Sequence, residues 1–286
     1  MCDKMKKYLI FTVASLLLMP SCLTKKEKPG ELTRTSGEVK LVTLDPGHFH
    51  AALVQKNSYK QVADEVYVYA PEGDDVQEHL NKINGYNTRT DSPTKWKEVV
   101  YLGSDFLEKM LSEKKGNVMI TAGNNGKKTE YIKQTLMAGI HVLADKPMAI
   151  NSENFGLLKE CFDIARGKGI LLYDIMTERH EITTVLQREL SCIPAVYGEQ
   201  LKGTPEEPAI VKESVHHFFK VVSGTPLKRP AWFFDVNQQG EGIVDVTTHL
   251  VDLVQWEAFP EQVIDYTQDI ELLDANRWTT SISPEE

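Results

Sequence analysis

The chain has 286 residues, a formal net charge of -9 and the apolar and charged fractions of a soluble globular protein. That length is enough for one large or two ordinary domains, each with its own core. The acidic balance, with no Lys/Arg cluster outside the N-terminal segment, argues against nucleic acid as a partner, because phosphate binding needs a basic face.

The chain opens on a short basic start, Met5-Lys6-Lys7, and an apolar stretch, "YLIFTVASLLLMP". About a dozen apolar residues are too few to span a bilayer and suit the core of a signal peptide. Pro20-Ser21-Cys22 resembles a bacterial lipoprotein cleavage box, apart from the unusual Pro20. Residues 1–21 are therefore expected to be a lipoprotein signal, with Cys22 as the acylated new N-terminus. An ordinary secretory signal or a poorly inserted anchor is the alternative, and either exports the protein. The expected location is the periplasm or the outer membrane, with membrane contact only through the lipid. Residues 22–38 are polar, contain Pro, Gly and Ser, and lack periodicity, as a flexible tether does. The cysteines beyond this leader are Cys161, expected on the buried face of a helix, and Cys192; a disulfide between them is open.

From Val39 to residue 177 short apolar runs alternate with amphipathic stretches. The runs "VKLVTL", "EVYVYA", "VVYLG", "NVMITAG", "HVLAD" and "ILLYDI" read as strands, several apolar on both faces. "SDFLEKMLSEKK", "KKTEYIKQTLMAG" and "SENFGLLKECFDIARGKG" read as helices ending near Gly. The alternation predicts an α/β domain over 39–177, a Rossmann-like doubly wound parallel sheet with ligand beyond the carboxyl ends of its strands. After Met176 the rhythm changes. A helix "ERHEITTVLQREL", strand-like "AVYGEQL" and "AIVKESVHHFFKVV", and a helix "DVTTHLVDLVQW" predict an α+β domain with an open sheet over 178–286.

Two stretches carry acid–base chemistry. "HVLADKPMAI" places Asp145, Lys146 and Pro147 beyond a buried strand, where a partly desolvated Lys can hold a substrate hydroxyl; a surface Lys at a turn is the plainer possibility. In "GEGIVDVTTHLVDLVQW", Asp245 and His249 stand four apart on one helical face, with Asp252 a further turn along. A His beside a carboxylate is oriented and kept basic for taking a hydroxyl proton. A capping Asp and a structural His would give the same pattern.

Together, "TAGNNGKKTEYIKQTLMAGIHVLADKPMAI" and "GIVDVTTHLVDL" resemble, in order, two segments of the glucose-fructose oxidoreductase, inositol dehydrogenase and MocA (Gfo/Idh/MocA) family of NAD(P)-dependent sugar oxidoreductases. "RPAWFFDV" is similar to a secreted subgroup common in Bacteroidota. The resemblance covers about residues 39–258. It implies that Lys146 is the Lys of the family's Glu-Lys-Pro, touching the nicotinamide ribose and the substrate hydroxyl, with Asp145 in place of Glu and Pro147 following. It implies His249 as general base with Asp245 as its partner, Asn124 and Asn125 in the loop under the cofactor, and Arg179 and His180 facing the substrate. His217 is a weaker substrate-side candidate.

The first turn departs from the family. "LDPGHFHAALV" keeps only Gly47 of a Gly-x-Gly-x-x-Gly pattern and carries His48 and His50 instead. A modified turn that still binds tightly held NAD or NADP is the leading interpretation. His48 would lie near a helix start, and Glu72, after the second strand, would accept from a ribose hydroxyl. It assigns no residue to a metal. The rival is a metal-dependent hydrolase, with His48 and His50 joined by His216, His217, Asp245 or His249. A third possibility is a carbohydrate-binding lipoprotein without catalysis. An unfolded chain carries no cofactor through export, so an exported enzyme would recycle a bound one; epimerisation, elimination or glycoside cleavage then stand beside simple dehydrogenation. The substrate class is a sugar or polyol. The family's second domain is an open sheet of about eight or nine strands, so this chain is expected to be truncated, and a homo-oligomer is open.

Overall fold

The structure is a computed structural model that describes residues 35–214, 219–222, 224–279 and 281. The proposed leader with Cys22, and the pair His216 and His217, lie outside the described residues.

Six parallel strands form the main sheet: β1 (Leu41–Leu44), β2 (Glu65–Ala70), β3 (Lys97–Leu102), β4 (Val118–Thr121), β5 (His141–Asp145) and β6 (Leu172–Ile175). Their order is β3-β2-β1-β4-β5-β6. The direction of winding reverses between β1 and β4, so a crevice opens beyond their carboxyl ends, where doubly wound sheets take ligands. Leu41–Leu44 are buried throughout, because helices cover both faces. The crossovers are α1 (His50–Leu53), α2 (Asp74–Thr88), α3 (Phe106–Glu113), α4 (Asn125–Met137) and α5 (Ser152–Lys168). One core gathers Leu44, Tyr69, Met110, Met119, Ile132 and Leu136; the opposite one gathers Leu41, Ala51, Val66, Ile83 and Trp96. Cys161 is buried and Cys192 exposed, and both thiols are free.

Two features differ from expectation here. Helix α2 follows a stretch too polar to be singled out, and α1 is a single turn. The short α1 follows from a turn that leaves β1 with Gly47 and His48 both donating backbone N–H to the Ala122 carbonyl, at 2.9 and 2.7 Å.

The second part begins with a 3-10 turn, Thr177–His180, and α6 (Ile182–Ser191), much as the sequence indicates. "AVYGEQL" is not a strand. Pro194 starts a one-turn helix, α7 (Pro194–Tyr197), which Gly198 closes at φ +80°. Of the next strand-like run only β7 (Val221–Val222) pairs, antiparallel to β8 (Thr225–Pro226). Then come a 3-10 turn at Ala231–Phe234, α8 (Val236–Gln239), α9 (Gly242–Asp245) and α10 (Thr247–Ala258). The expected open sheet is thus reduced to one hairpin among the described residues.

A buried polar pair under the sheet makes stability depend on pH. Gln55 Nε2 donates to Glu98 Oε1 at 2.6 Å, while Gln55 Oε1 and Glu98 Oε2 are buried without partners. Burial pushes the Glu98 carboxyl up to about 7, against the lowering effect of Gln55. The folded chain therefore binds this proton more tightly than the unfolded chain. The contribution is complete below about pH 4.5 and is lost as pH rises through 7. Glu98→Gln is expected to match the wild-type melting temperature near pH 4.5 and exceed it at pH 8. The gain is on the order of 1–2 kcal/mol, allowing for solvent reaching this edge strand; thermal unfolding at the two pH values checks it.

Candidate active site

Strand β5 delivers the central residues. Asp145 is its last residue, and Lys146 and Pro147 follow on the floor of the crevice. Lys146 is buried, and its Nζ donates to Asp245 Oδ1 at 2.7 Å and to the Asp245 carbonyl at 2.9 Å. Asp245, at the end of α9, is buried as well. This corrects the expected pairing: Asp245 holds Lys146, not His249. The carboxylate facing His249 belongs to Glu178 in the 3-10 turn, whose Oε2 lies 2.5 Å from His249 Nδ1. Burial would raise the Glu178 carboxyl, but His249 overcomes it and takes it down to about 2. His249 is thus backed by an ionised acid, though by one supplied from another segment.

His249, Glu178 and Asp245 border one cavity of about 500 Å³ that His48 and His50 also line. Lys146 borders a smaller void beside it, shared with His48, Asn125, Trp232 and Asp245. Asp245 and His48 stand at both, so the ammonium and the imidazole flank a common wall.

The two histidines of the first turn meet Asp145. His48 Nδ1 lies 2.8 Å from Asp145 Oδ2, and His50 Nδ1 lies 2.8 Å from Oδ1. Burial takes His48 down to about 3, so its imidazole is neutral at pH 7. Burial alone would raise Asp145; the two imidazoles hold it well below the usual carboxylate range. Beneath it, the buried Lys128 ammonium donates to the Asp145 carbonyl at 3.1 Å, to the Pro147 carbonyl at 3.2 Å and to Asn125 Oδ1. Burial lowers Lys128 to about 8.

Other expected site residues have other partners. Asn124 Nδ2 donates to Gln238 Oε1, and Asn125 Nδ2 to the carbonyl and side chain of Gln239, so both tie α4 to α8, while Asn125 also borders the void beside Lys146. Arg179 grips Asp252 through two hydrogen bonds and does not border the cavity. His180 is exposed and does not border the cavity. Glu72 is exposed at the mouth of the crevice, lining a hollow with Asp45 and Gly73. Glu178, Lys128 and Trp232 escaped the sequence reading. Glu178 adjoins Arg179 and His180 and had a signal there; Lys128 resembled any helical surface Lys.

The crevice suits a dinucleotide, with changes at the first turn. A Cβ on Gly47 would come within 2.9 Å of the Trp232 indole and 3.0 Å of Asp75 Oδ2, so the turn keeps the close approach that only Gly permits. Its Gly47 and His48 amides are engaged by Ala122, which removes part of the usual phosphate cradle. Beside Gly47, however, lies a cavity of about 450 Å³ bordered by Lys82, Lys228 and Arg229. His79, also on its wall, is buried with both ring nitrogens unpartnered. Side-chain cations and an orphaned imidazole there can meet a pyrophosphate that the amides no longer hold.

A six-stranded parallel sheet wound in this order, with its crevice between β1 and β4, has the fold of a Rossmann-type dinucleotide-binding domain. Residues 48–173 match the family described as "Oxidoreductase family, NAD-binding Rossmann fold", the Gfo/Idh/MocA group, and residues 186–286 match the "Putative oxidoreductase C terminal domain". The chain belongs to the Gfo/Idh/MocA oxidoreductase family, an NAD-binding family. It is similar to a "putative oxidoreductase from Parabacteroides merdae ATCC 43184" at 77% identity and a TM-score of 0.83, over 89% of this chain and 58% of that one. A "putative oxidoreductase from Thermotoga maritima" shares the fold at 15% identity and a TM-score of 0.54, over 76% and 58% of the two chains. GenD2 from gentamicin A biosynthesis, solved in complex with NAD, does so at 14% identity and 0.50, over 80% and 57%. The chain therefore spans somewhat less than two thirds of the length of these relatives. No curated protein matches it.

Proposed function

We propose that the chain acts as an exported NAD(P)-dependent oxidoreductase on a hydroxyl of a sugar or sugar-derived polyol. The observation that carries this is the Lys146–Asp245 pair at the end of β5, set against the wall of the cavity that His249 borders with Glu178 behind it. NAD(P), when bound, would supply the hydride acceptor; Glu72 would hold its ribose and Lys82, Lys228 and Arg229 its phosphates. The chain's own part is acid–base work. With Nδ1 turned to Glu178, His249 takes the hydroxyl proton on Nε2. Asp245 engages two of the three N–H groups of Lys146, and the third can stabilise charge growing on the substrate oxygen. A polyhydroxylated substrate suits the cavity, where Glu178, Lys212, Glu213 and Ser214 offer donors and acceptors. Export rests on the apolar segment before Cys22 and favours a retained cofactor that is reduced and reoxidised within one cycle. That arrangement serves epimerisation, elimination or glycoside cleavage as well as net oxidation.

The purified chain, denatured by heat, is expected to release NAD or NADP, or the stripped chain to take one up and reduce it with a sugar or polyol. A chain that neither carries nor binds either dinucleotide overturns the proposal and leaves a carbohydrate-binding lipoprotein. Metal-dependent hydrolysis is the second reading, and the grouping of His48 and His50 with Asp145 favours it.

A further inference from the structure

The first turn and the end of β5 build a second site beside the one proposed for hydride transfer. We propose that His48, His50 and Asp145 bind one divalent transition-metal ion per chain, zinc by the character of the donors. Each residue offers a ligand atom, and the three atoms lie within 4.8 Å of one another. The group is assembled from distant parts of the chain across the end of β4, in the strand order β1-β4-β5. Hydrogen bonds from Gly47 and His48 to the Ala122 carbonyl fix the turn on β4, and Lys128 fixes the backbone of Asp145 from below. The imidazole rings meet edge to face with centroids 4.2 Å apart, so both Nδ1 atoms converge on one carboxylate.

Two imidazoles and a carboxylate are a borderline donor set of the kind zinc takes, at about 2.0–2.2 Å from each ligand atom. Ligands around a tetrahedral ion at that range stand about 3.3 Å apart. The 2.8 Å contacts here would open by about half an ångström on uptake. Uptake needs each ligating Nδ1 free of a proton, with the ring proton on Nε2. Asp145 and His50 are almost fully buried, and His48 retains a side-chain exposure of 17%, which gives an entry path. Three protein ligands leave a fourth position, and the cavity shared with Asp245, His249 and Glu178 is where a water or substrate oxygen would fill it.

The test strips the purified chain with EDTA, titrates zinc by calorimetry and follows cobalt(II) by its visible absorption. One equivalent per chain is expected, with the intense bands of a four-coordinate site. His48→Gln and His50→Gln should each weaken zinc at least tenfold, while His180→Gln, at the exposed histidine, should leave it unchanged. The cobalt spectrum of the wild-type chain needs no variant, so a folding defect in either Gln variant leaves the test intact. Absence of that spectrum, or uptake that survives His48→Gln/His50→Gln in a folded chain, would show a hydrogen-bonded cluster only and overturn the proposal. Dinucleotide binding is read separately and decides neither outcome.

Discussion

Lys146→Met should lower kcat/KM for the sugar or polyol by about 10²–10⁴-fold, the range for loss of a positioned acid–base group. The same change removes one partner of a carboxylate that is 8% exposed. Breaking a buried pair from one side typically costs about 3–5 kcal/mol, and the nearby charges of Lys220 and Arg229 keep the loss toward the lower end here. Activity and stability would then fall together, and a folding defect could imitate a catalytic one. Lys146→Met/Asp245→Asn separates them. Removing both charges lets the neutral amide sit where the carboxylate did, so the melting temperature should recover most of the loss while turnover stays low. Circular dichroism melts beside steady-state assays on the three chains decide the matter. Wild-type turnover in Lys146→Met would remove Lys146 from the mechanism, and low stability persisting in the double variant would show that the pair is not what destabilised the single one.

The strands are readable because burial on both faces leaves the middles of runs such as "HVLAD" and "EVYVYA" without a charged residue, the charges standing at their ends. Helix α2 is not, because it buries only a narrow stripe, Val76, His79, Ile83 and Tyr86, one of them an imidazole. "AVYGEQL" misled through its β-branched and aromatic content, which Pro194 and Gly198 override by opening and closing a turn of helix. In the site, Lys146, Asp245 and His249 could be picked out singly. Their pairing could not. Four-residue spacing says which side chains share a helix face, but not which charge on another segment reaches them first. Asp245 turns to the buried ammonium across the crevice, and Glu178 arrives beside His249 from the turn after β6. The His48–His50–Asp145 group is a similar case. Its members stand 95 and 97 residues apart, so the lost glycines at one place and the Asp for Glu at the other look unrelated until β4 brings them together.

Gly123→Ala should destabilise the chain more than any other single-methyl addition in the crevice. Gly123 follows β4 at the switch point, and a Cβ there would lie 2.3 Å from the Asp45 carbonyl oxygen and 2.7 Å from the Gly47 backbone nitrogen. Both obstacles are backbone, so no side chain can swing aside. Relief requires the β1 turn to move, and that turn carries His48 and His50 and accepts its position from Ala122, the residue before Gly123. Overpacking of a rigid site costs about 1–3 kcal/mol, which for a chain of this size lowers the melting temperature by roughly 2–6 °C. Dinucleotide and zinc affinity should fall with it, since both sites share the displaced turn. Gly85→Ala is the counterpart. Gly85 lies inside α2, and a Cβ there meets nothing within 4 Å. The same methyl group should then stabilise by about 0.5–1 kcal/mol, the helix-interior advantage of Ala over Gly. Opposite shifts in thermal melts of the two variants are the expected result. A Gly123→Ala chain that melts with the wild type and binds as it does would mean that the switch-point turn is not held against the end of β4, and the crevice drawn from that contact would have to be abandoned.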